Sequence, residues 1–204
     1  MISFEPTKKL PKKFYNRYVI QVAHDLLGKI FIRILNGKIL SGKIVEVEAY
    51  DGNIDEASHS YIGKTKRNEI MFESGGLLYV YFTYGVHFCA NIVTGTQYEG
   101  QAVLLRGIEP IDGFEIMALN RYGRNEITDK EKINLANGPG KICRAFGLAR
   151  EANGTDLLGE EIFLLDAKKI PSQNIVTTNR IGIRKSIDLP WRFYIKNNPY
   201  VSRK

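Results

Sequence analysis

The sequence predicts an α+β fold: a single domain in which helices surround a curved, mostly antiparallel β-sheet with a protruding β-hairpin. Several segments in the first half alternate apolar and polar residues, as half-buried strands do, and Asn36-Gly37 is a strong hairpin signal. From residue 112 onward the period changes, and apolar residues follow helical spacing. At 204 residues we expect one domain over 1–204, with 1–13 as a flexible arm.

The first half of the chain is expected to hold a helix, two paired strands and a long loop. Asn16 is suited to cap the helix and Gly28 is suited to end it. Strands are predicted over 29–35 and 39–49, joined by the hairpin signal. Residues 51–74 are polar, and loops of this length in compact domains are usually functional or disordered.

The second half is expected to begin with an aromatic hairpin that turns near Tyr84-Gly85. Thr128 and Glu131 have the spacing of a capping box, and Gly138-Pro139-Gly140 is typical of a helix start that Gly147 can end. The predicted elements are the hairpin over 77–93, a strand over 102–108, helices over 112–122, 128–136 and from 138, and strands over 161–165, 178–183 and 192–195.

Composition favours a cytosolic protein with a polyanionic partner. There are 29 Lys and Arg against 22 Asp and Glu, which gives a net charge of +7, although many basic proteins bind no polyanion. Cys89 and Cys143 lie in apolar segments without a CxxC pattern, so we expect reduced thiols and neither a disulfide framework nor structural zinc. No apolar run approaches a membrane span, and the first residues lack the apolar region of a signal peptide.

The stretch Ile44 to Tyr50 is the one around which the rest of the chain is organised. Its alternation places Glu46, Glu48 and Tyr50 on one face of a predicted strand. Glutamate is depleted in strands, and a charge held against a sheet costs free energy unless it faces water or a partner. The pattern taken alone favours a solvated outer face, and a site with paired carboxylates is the alternative.

An ordered series of motifs favours a functional site over a solvated outer face. The motifs are Glu46-Val47-Glu48-Ala49-Tyr50, Asp55-Glu56-Ala57-Ser58-His59-Ser60, Arg67-Asn68 with Met71-Phe72, 78–85, Cys89-Ala90-Asn91, 103–110, 138–141 and 190–194. Together they resemble the alkyladenine (methylpurine, 3-methyladenine) DNA glycosylase family, which has one compact catalytic domain. The resemblance runs from about residue 25 to the end, and several motifs in order are more specific than any one of them.

The resemblance implies a monofunctional DNA glycosylase of base excision repair. Such an enzyme flips a damaged purine, alkylated or deaminated, out of duplex DNA and hydrolyses its N-glycosidic bond. Glu48 would be the general base that activates the attacking water, and Arg106 would stabilise the Glu48 carboxylate. Tyr50, His59 and Tyr81 would clamp the flipped base by stacking.

The same resemblance implies roles around the pocket and along the DNA. Asn91 would stand at the pocket wall, where its amide rejects the exocyclic amino group of guanine. Tyr84, at the hairpin tip, would fill the gap that the flipped nucleotide leaves. The backbone of 181–183 would lie near the water. The candidate contacts to DNA phosphates are Lys64, Lys66, Arg67 and Lys141.

Two positions are left open by this comparison. Glu46 is either a second carboxylate of the site or a solvated neighbour of Glu48, and the solvated neighbour is favoured. Some family members carry a tyrosine where this chain has His87, so His87 has no assigned role. We expect no cofactor and no metal, a monomer bound to double-stranded DNA with damaged purines, and a cytoplasmic location, near the nucleoid in a bacterium, or a nuclear one in a eukaryote.

Two further function classes fit the same residues. Glu46, Glu48, Asp51 and Asp55 could form an oxygen-only metal site, as in a metal-dependent nuclease. Alternatively, the basic and aromatic residues could belong to a non-enzymatic nucleic-acid-binding module. Sensitivity to a chelator separates the nuclease from the glycosylase, and release of free base separates the glycosylase from the binding module.

Overall fold

The structure is a computed structural model that describes residues 9–83 and 85–203. Its centre is a curved antiparallel sheet in the order β3-β4-β5-β2-β1-β6, with β8 paired to both β2 and β7. The strands are β1 (Ile30–Leu35), β2 (Lys38–Asp51), β3 (Leu78–Thr83), β4 (His87–Thr94), β5 (Gln101–Asp112), β6 (Ile162–Leu165), β7 (Ile175–Thr178) and β8 (Arg192–Ile195). The helices are α1 (Lys12–Tyr15), α2 (Val19–Leu26), α3 (Phe114–Tyr122), α4 (Asp129–Ile133) and α5 (Pro139–Ala145). The predicted α+β class is confirmed.

The predicted hairpin between β1 and β2 is confirmed. Asn36 and Gly37 have φ angles of 50° and 72°, so both adopt the left-handed conformation that a two-residue hairpin turn requires. Leu35 and Lys38 then pair directly. Asparagine and glycine tolerate this conformation better than other residues, which is why the turn can be recognised from two letters of sequence.

Strand β2 changes neighbours along its length, and this positions the site. Its first half pairs with β1, and Glu46 to Glu48 pair with β8, while β5 runs along the opposite edge. The pairing with β5 shifts register on both sides of Glu46, as at a β-bulge, which bends the strand. Glu48 therefore lies between two strands, opposite Leu104 on β5 and Arg192 on β8.

The face of β2 opposite the glutamates carries the main core. Val47 and Ala49 are fully buried there, and they belong to the same apolar cluster as residues of α2 and α5. Helix α2 has Val22 and Leu26 fully buried. Because one face of β2 is anchored by this packing, the other face holds its polar side chains in fixed positions.

The start of α2 differs from the prediction. The N–H of Asn16 closes α1 by donating to the carbonyl of Lys12, so Asn16 does not cap α2. The helix begins after Tyr18, which has no capping hydrogen bond of its own. Instead, the side-chain oxygen of Gln101 accepts from the N–H of Val19 at 3.1 Å. A cap from a residue 82 positions away leaves no local sequence signal.

A predicted strand is wrong, and part of the predicted arm is described by the structure. A strand was expected over 178–183, but the observed strand β7 ends at Thr178. Beyond it, the Arg180 side chain is buried, and Gly182 has a φ of 80°, which breaks extended structure. Of the arm expected over 1–13, the structure describes residues 9–13: Lys9 bridges to β6, and Leu10 is 3% exposed. Residues 1–8 lie outside the described part.

The remaining elements agree with the prediction apart from shifts at their ends. The capping box is present: the Thr128 side chain accepts from the Glu131 N–H, and the Glu131 carboxylate accepts from the Thr128 N–H. Gly147 follows α5 with a φ of 63°. Within residues 9–83 and 85–203, no helix combines the length and apolar character needed to cross a membrane.

Candidate active site

A cavity of about 570 Å³ opens where the β3–β4 hairpin meets the loop after β2 and the segment 181–185. This volume is in the range of small-molecule binding pockets. Its lining includes Tyr50, His59, Tyr81, Asn91, Arg106 and Ile181. The structure thus brings into one cavity predicted site residues from β2, the polar loop, the hairpin and β5.

Glu48 lies directly behind the cavity wall, with its side chain fully buried. One oxygen, Oε2, accepts from the Tyr50 hydroxyl at 2.8 Å and from Arg106 Nη1 at 3.3 Å. The other oxygen, Oε1, accepts from the backbone N–H of Ile181 at 2.7 Å. All three donors line the cavity, so the carboxylate is fixed in position and its negative charge is stabilised.

Tyr50 remains a donor to this carboxylate. Burial, together with the neighbouring Glu48 charge, raises the pKa of the Tyr50 hydroxyl well above its ordinary value. The Tyr50 ring also faces the Arg180 guanidinium, 4.6 Å from the ring centroid. Tyr50 is therefore held from both sides, and its O–H is kept protonated beside Glu48.

Three rings of the cavity lining form one aromatic wall: His59, Tyr79 and Tyr81. Tyr79 and Tyr81 stack at 5.4 Å between centroids, and His59 meets Tyr81 edge-on at 4.4 Å. His59 Nδ1 lies 3.2 Å from the Tyr79 hydroxyl. Burial, and then the charge of Arg67, lower the pKa of His59, so the ring stays neutral at neutral pH. Burial raises the pKa of Tyr79 to about 12.

Tyr79 is a cavity residue that the sequence analysis left out. A tyrosine in a strand usually packs in a core, and Tyr79 is indeed 1% exposed. Its hydroxyl, however, reaches His59, and its carbonyl accepts from Asn91 Nδ2 at 3.1 Å. Tyr79 precedes Tyr81 by two positions, so both rings lie on the same face of β3, which is the one signal that could have identified it.

Glu46 is not the solvated neighbour that was favoured. Its side chain is fully buried and accepts from Arg106 Nε at 3.3 Å and Arg192 Nε at 2.7 Å. Ser202 adds bonds from its N–H and its hydroxyl. The predicted outer face of β2 is thus covered, because β8 and the segment after it pack over it. Arg192 lies within the 190–194 motif, but nothing in the sequence pairs it with Glu46, and Ser202 gave no signal.

A second buried ion pair supports the opposite side of the site. Arg180 binds both oxygens of Asp55, at 2.5 and 2.8 Å, and both side chains are fully buried. Arg180 also donates to the carbonyl of Ala49 and precedes Ile181, whose N–H binds Glu48. The pair joins the loop that carries His59 to the backbone that contacts Glu48.

The four residues predicted to contact DNA phosphates differ in their exposure and in their partners. Lys64 and Lys66 are exposed, and Lys64 pairs with Glu73 at 3.4 Å. Arg67 is exposed beside the hairpin and donates to the carbonyl of Phe82. The amine of Lys141 donates to two asparagine side chains, and burial lowers its pKa. Their roles towards DNA remain predictions.

The sequence analysis named two more residues, Tyr84 and His87, within the hairpin predicted over 77–93. Tyr84, the predicted wedge, lies outside the described residues. His87 is exposed at the start of β4, and its ring packs against Gly140 of α5, where an added Cβ would lie 3.0 Å from the ring. His87 thus joins the hairpin to α5.

The carboxylates considered for a metal site each have a partner of their own. Glu46 and Glu48 face arginines, and Asp55 is held by the buried ion pair described above. Asp51 accepts from the side chain of Gln101 at 3.1 Å. In the part of the chain that the structure describes, no group of three or more His, Cys, Asp or Glu side chains is arranged to hold a metal ion.

Comparisons with known proteins agree on one family. The sequence model described as methylpurine-DNA glycosylase (MPG) matches residues 13–199. A protein of Alkaliphilus oremlandii is 48% identical over 202 residues, which cover 96% of this chain and 100% of the relative. Proteins of Carboxydothermus hydrogenoformans and Clostridium botulinum are 47% and 45% identical, each over 96% of this chain and 99% of the relative. All three are provisionally named 3-methyladenine DNA glycosylase.

Proposed function

The chain belongs to the methylpurine-DNA glycosylase family, hydrolases that act on N-glycosyl bonds, and from that premise we propose how its own residues would excise a base. A damaged purine would leave the duplex and enter the cavity, where Glu48 activates a water that attacks C1′ of the sugar. The bond between C1′ and the base breaks, and the products are the free base and an abasic site. The base would be an alkylated purine, with deaminated purines as a further substrate class.

The single observation that carries this proposal is the environment of Glu48. A general base must be held rigidly and must be ionised when the water attacks. Three donors from three different segments fix its two oxygens, and all three line the cavity. A merely structural carboxylate needs no such position beside a cavity of this size.

The aromatic wall supports the second half of the proposal. A base that stacks on an aromatic ring gains roughly 1–3 kcal/mol, which helps to offset the cost of leaving the duplex. Tyr81 and His59 both line the cavity in an edge-to-face contact, and the neutral His59 ring can act as a hydrogen-bond donor or acceptor according to its tautomer. Asn91 lines the cavity, where its side-chain amide would select between purines by rejecting the exocyclic amino group of guanine.

The proposal also holds that water, and not a lysine, attacks the sugar. Among the described residues that line the cavity, Lys185 is the one lysine. Its amine lies 3.2 Å from the Glu56 carboxylate, and its side chain is 65% exposed. Attack by an amine would leave a covalent Schiff-base intermediate that borohydride can trap. We expect no trapped adduct with wild-type protein and lesion-containing DNA.

The decisive experiment is release of free base from duplex DNA treated with a methylating agent, measured in EDTA. Wild type should release free base. Glu48→Gln should bind the same DNA but should release the base at least about 100-fold more slowly, because the general base is lost. The matched control is Glu115→Gln, the same change at an exposed position on α3, which should behave as wild type.

Each other outcome points to a different function. Release by Glu48→Gln at the wild-type rate would remove Glu48 from the proposed role. Activity that vanishes in EDTA and returns with magnesium would favour a metal-dependent nuclease. DNA binding without base release, unchanged by Glu48→Gln, would favour a binding module.

A further inference from the structure

The Arg106 guanidinium is bound at three different nitrogens. Nη1 donates to Glu48, Nε donates to Glu46, both at 3.3 Å, and Nη2 donates to the Ser202 hydroxyl at 3.5 Å. Arg106 is 8% exposed. Because the guanidinium is planar, contacts at three nitrogens fix its orientation as well as its position.

Glu46 connects Arg106 to a segment distant in sequence. Its Oε2 accepts from the Ser202 N–H at 2.6 Å, and its Oε1 accepts from the Ser202 hydroxyl at 2.9 Å. Arg192 binds Oε1 as well, and it also donates to the carbonyl of Arg203. The two carboxylates, Glu46 and Glu48, balance the charges of the two arginines in this buried group.

The segment Tyr200–Arg203 lies directly over β5 because Gly107 has no side chain. A Cβ added at Gly107 would lie 2.9 Å from the carbonyl oxygen of Tyr200 and 3.0 Å from Cβ of Glu46. Val201 is 6% exposed, so the segment is anchored in the body of the protein. A glycine next to Arg106 thus allows the close approach of Ser202.

We propose that Ser202 and Glu46 are positioning residues that hold Arg106 against Glu48, so that the segment Tyr200–Arg203 takes part in catalysis although it does not line the cavity. The inference rests on the proposed function, in which Glu48 activates the water. The rate of base release then depends on Ser202 through the orientation of Arg106, while DNA binding does not.

The test compares Ser202→Ala with Ser202→Thr, which keeps the hydroxyl. The matched control is Ser172→Ala, at an exposed serine outside the site. Single-turnover base release is measured on methylated duplex DNA, and affinity is measured on a duplex with an abasic-site analogue. Ser202→Ala should lower the single-turnover rate on the order of 10-fold with unchanged affinity, since a misplaced catalytic group costs rate. Ser202→Thr should restore the rate.

Gly107→Ala provides a second perturbation without removal of a polar group. The added methyl would displace the segment or Glu46, so we expect the same loss of rate with unchanged affinity. Wild-type rates in both Ser202→Ala and Gly107→Ala would overturn the proposal. A loss of affinity equal to the loss of rate in both would also overturn it, since it would indicate a general disruption of the site.

A spectroscopic measurement separates this inference from the proposed function. The proton on Arg106 Nε can be observed through its nitrogen-15 by NMR. Its exchange with water should be slow in wild type and in Ser202→Thr, and faster in Ser202→Ala. If wild type released no base, the proposed function would fail, and this exchange rate would still decide whether Ser202 holds Arg106. An unchanged exchange rate in Ser202→Ala would overturn the positioning role.

Discussion

Replacement of Asp55 by asparagine should lower the free energy of unfolding by about 3 kcal/mol, because it leaves the Arg180 charge buried without a counterion. Both side chains are fully buried and bind through two contacts. Asparagine keeps the shape and the oxygen that accepts from the Ala57 N–H, so the change is mainly one of charge. Loss of one partner of a buried pair costs about 3–5 kcal/mol.

The lower end of that range applies because Arg180 keeps other partners. It donates to the carbonyls of Ala49 and Ser186, and its guanidinium faces the rings of Tyr50 and Trp191. For a domain of this size, about 3 kcal/mol corresponds to a fall of roughly 6–12 °C in Tm. Urea unfolding and thermal unfolding measure the two quantities.

A matched control lies in the same two segments. Lys185 and Glu56 form an ion pair at 3.2 Å, but their side chains are 65% and 49% exposed. Lys185→Met should cost less than about 1 kcal/mol, because water already screens the pair. If Asp55→Asn cost no more than Lys185→Met, the argument from burial would be refuted. In the double variant Asp55→Asn, Arg180→Met, the loss should be smaller than the sum of the two single losses.

Two further predictions concern the site. Tyr50→Phe removes the 2.8 Å hydrogen bond to Glu48, so we expect single-turnover base release to fall on the order of 10-fold with DNA affinity unchanged; an unchanged rate would mean that Arg106 and Ile181 suffice. Burial lowers the pKa of His59, which means that the folded state favours the neutral ring. His59 therefore becomes charged in the folded protein only below the ordinary histidine pKa of about 6.5. As the pH falls below that value, the unfolded chain binds the proton more readily, and the free energy of unfolding decreases. The pH profiles of base release for wild type and His59→Gln should run parallel above about pH 7 and diverge only on the acidic side; divergence above pH 7 would contradict this.

The relation between Glu46 and Glu48 shows where sequence reasoning reached its limit. The alternation in β2 correctly placed both carboxylates on one face, since strand geometry has a period of two. Whether that face meets water depends on what packs over it. The covering groups, Arg192 and Ser202, lie 146 and 156 positions from Glu46, and no local pattern points to them.

The same limit applies to Arg180. Apolar and polar residues around 178–183 resemble a strand, and the prediction followed that pattern. In the structure Arg180 leaves the sheet to reach Asp55, 125 positions earlier. A buried charge needs its counterion, and that requirement outweighs a weak local preference for extended backbone.

Local sequence was sufficient to predict the features that depend on neighbouring residues. These are the hairpin turn at Asn36-Gly37, the capping box at Thr128, the side-chain alternation of β2 and the ordered motifs of the family, because each depends on local backbone preference or on residue order alone. Which polar groups are buried, and what they contact, depends instead on how distant segments pack together. Burial is a property of segments that meet from distant parts of the chain, and so the network around Glu46 and the pair of Asp55 with Arg180 became visible only in the folded protein.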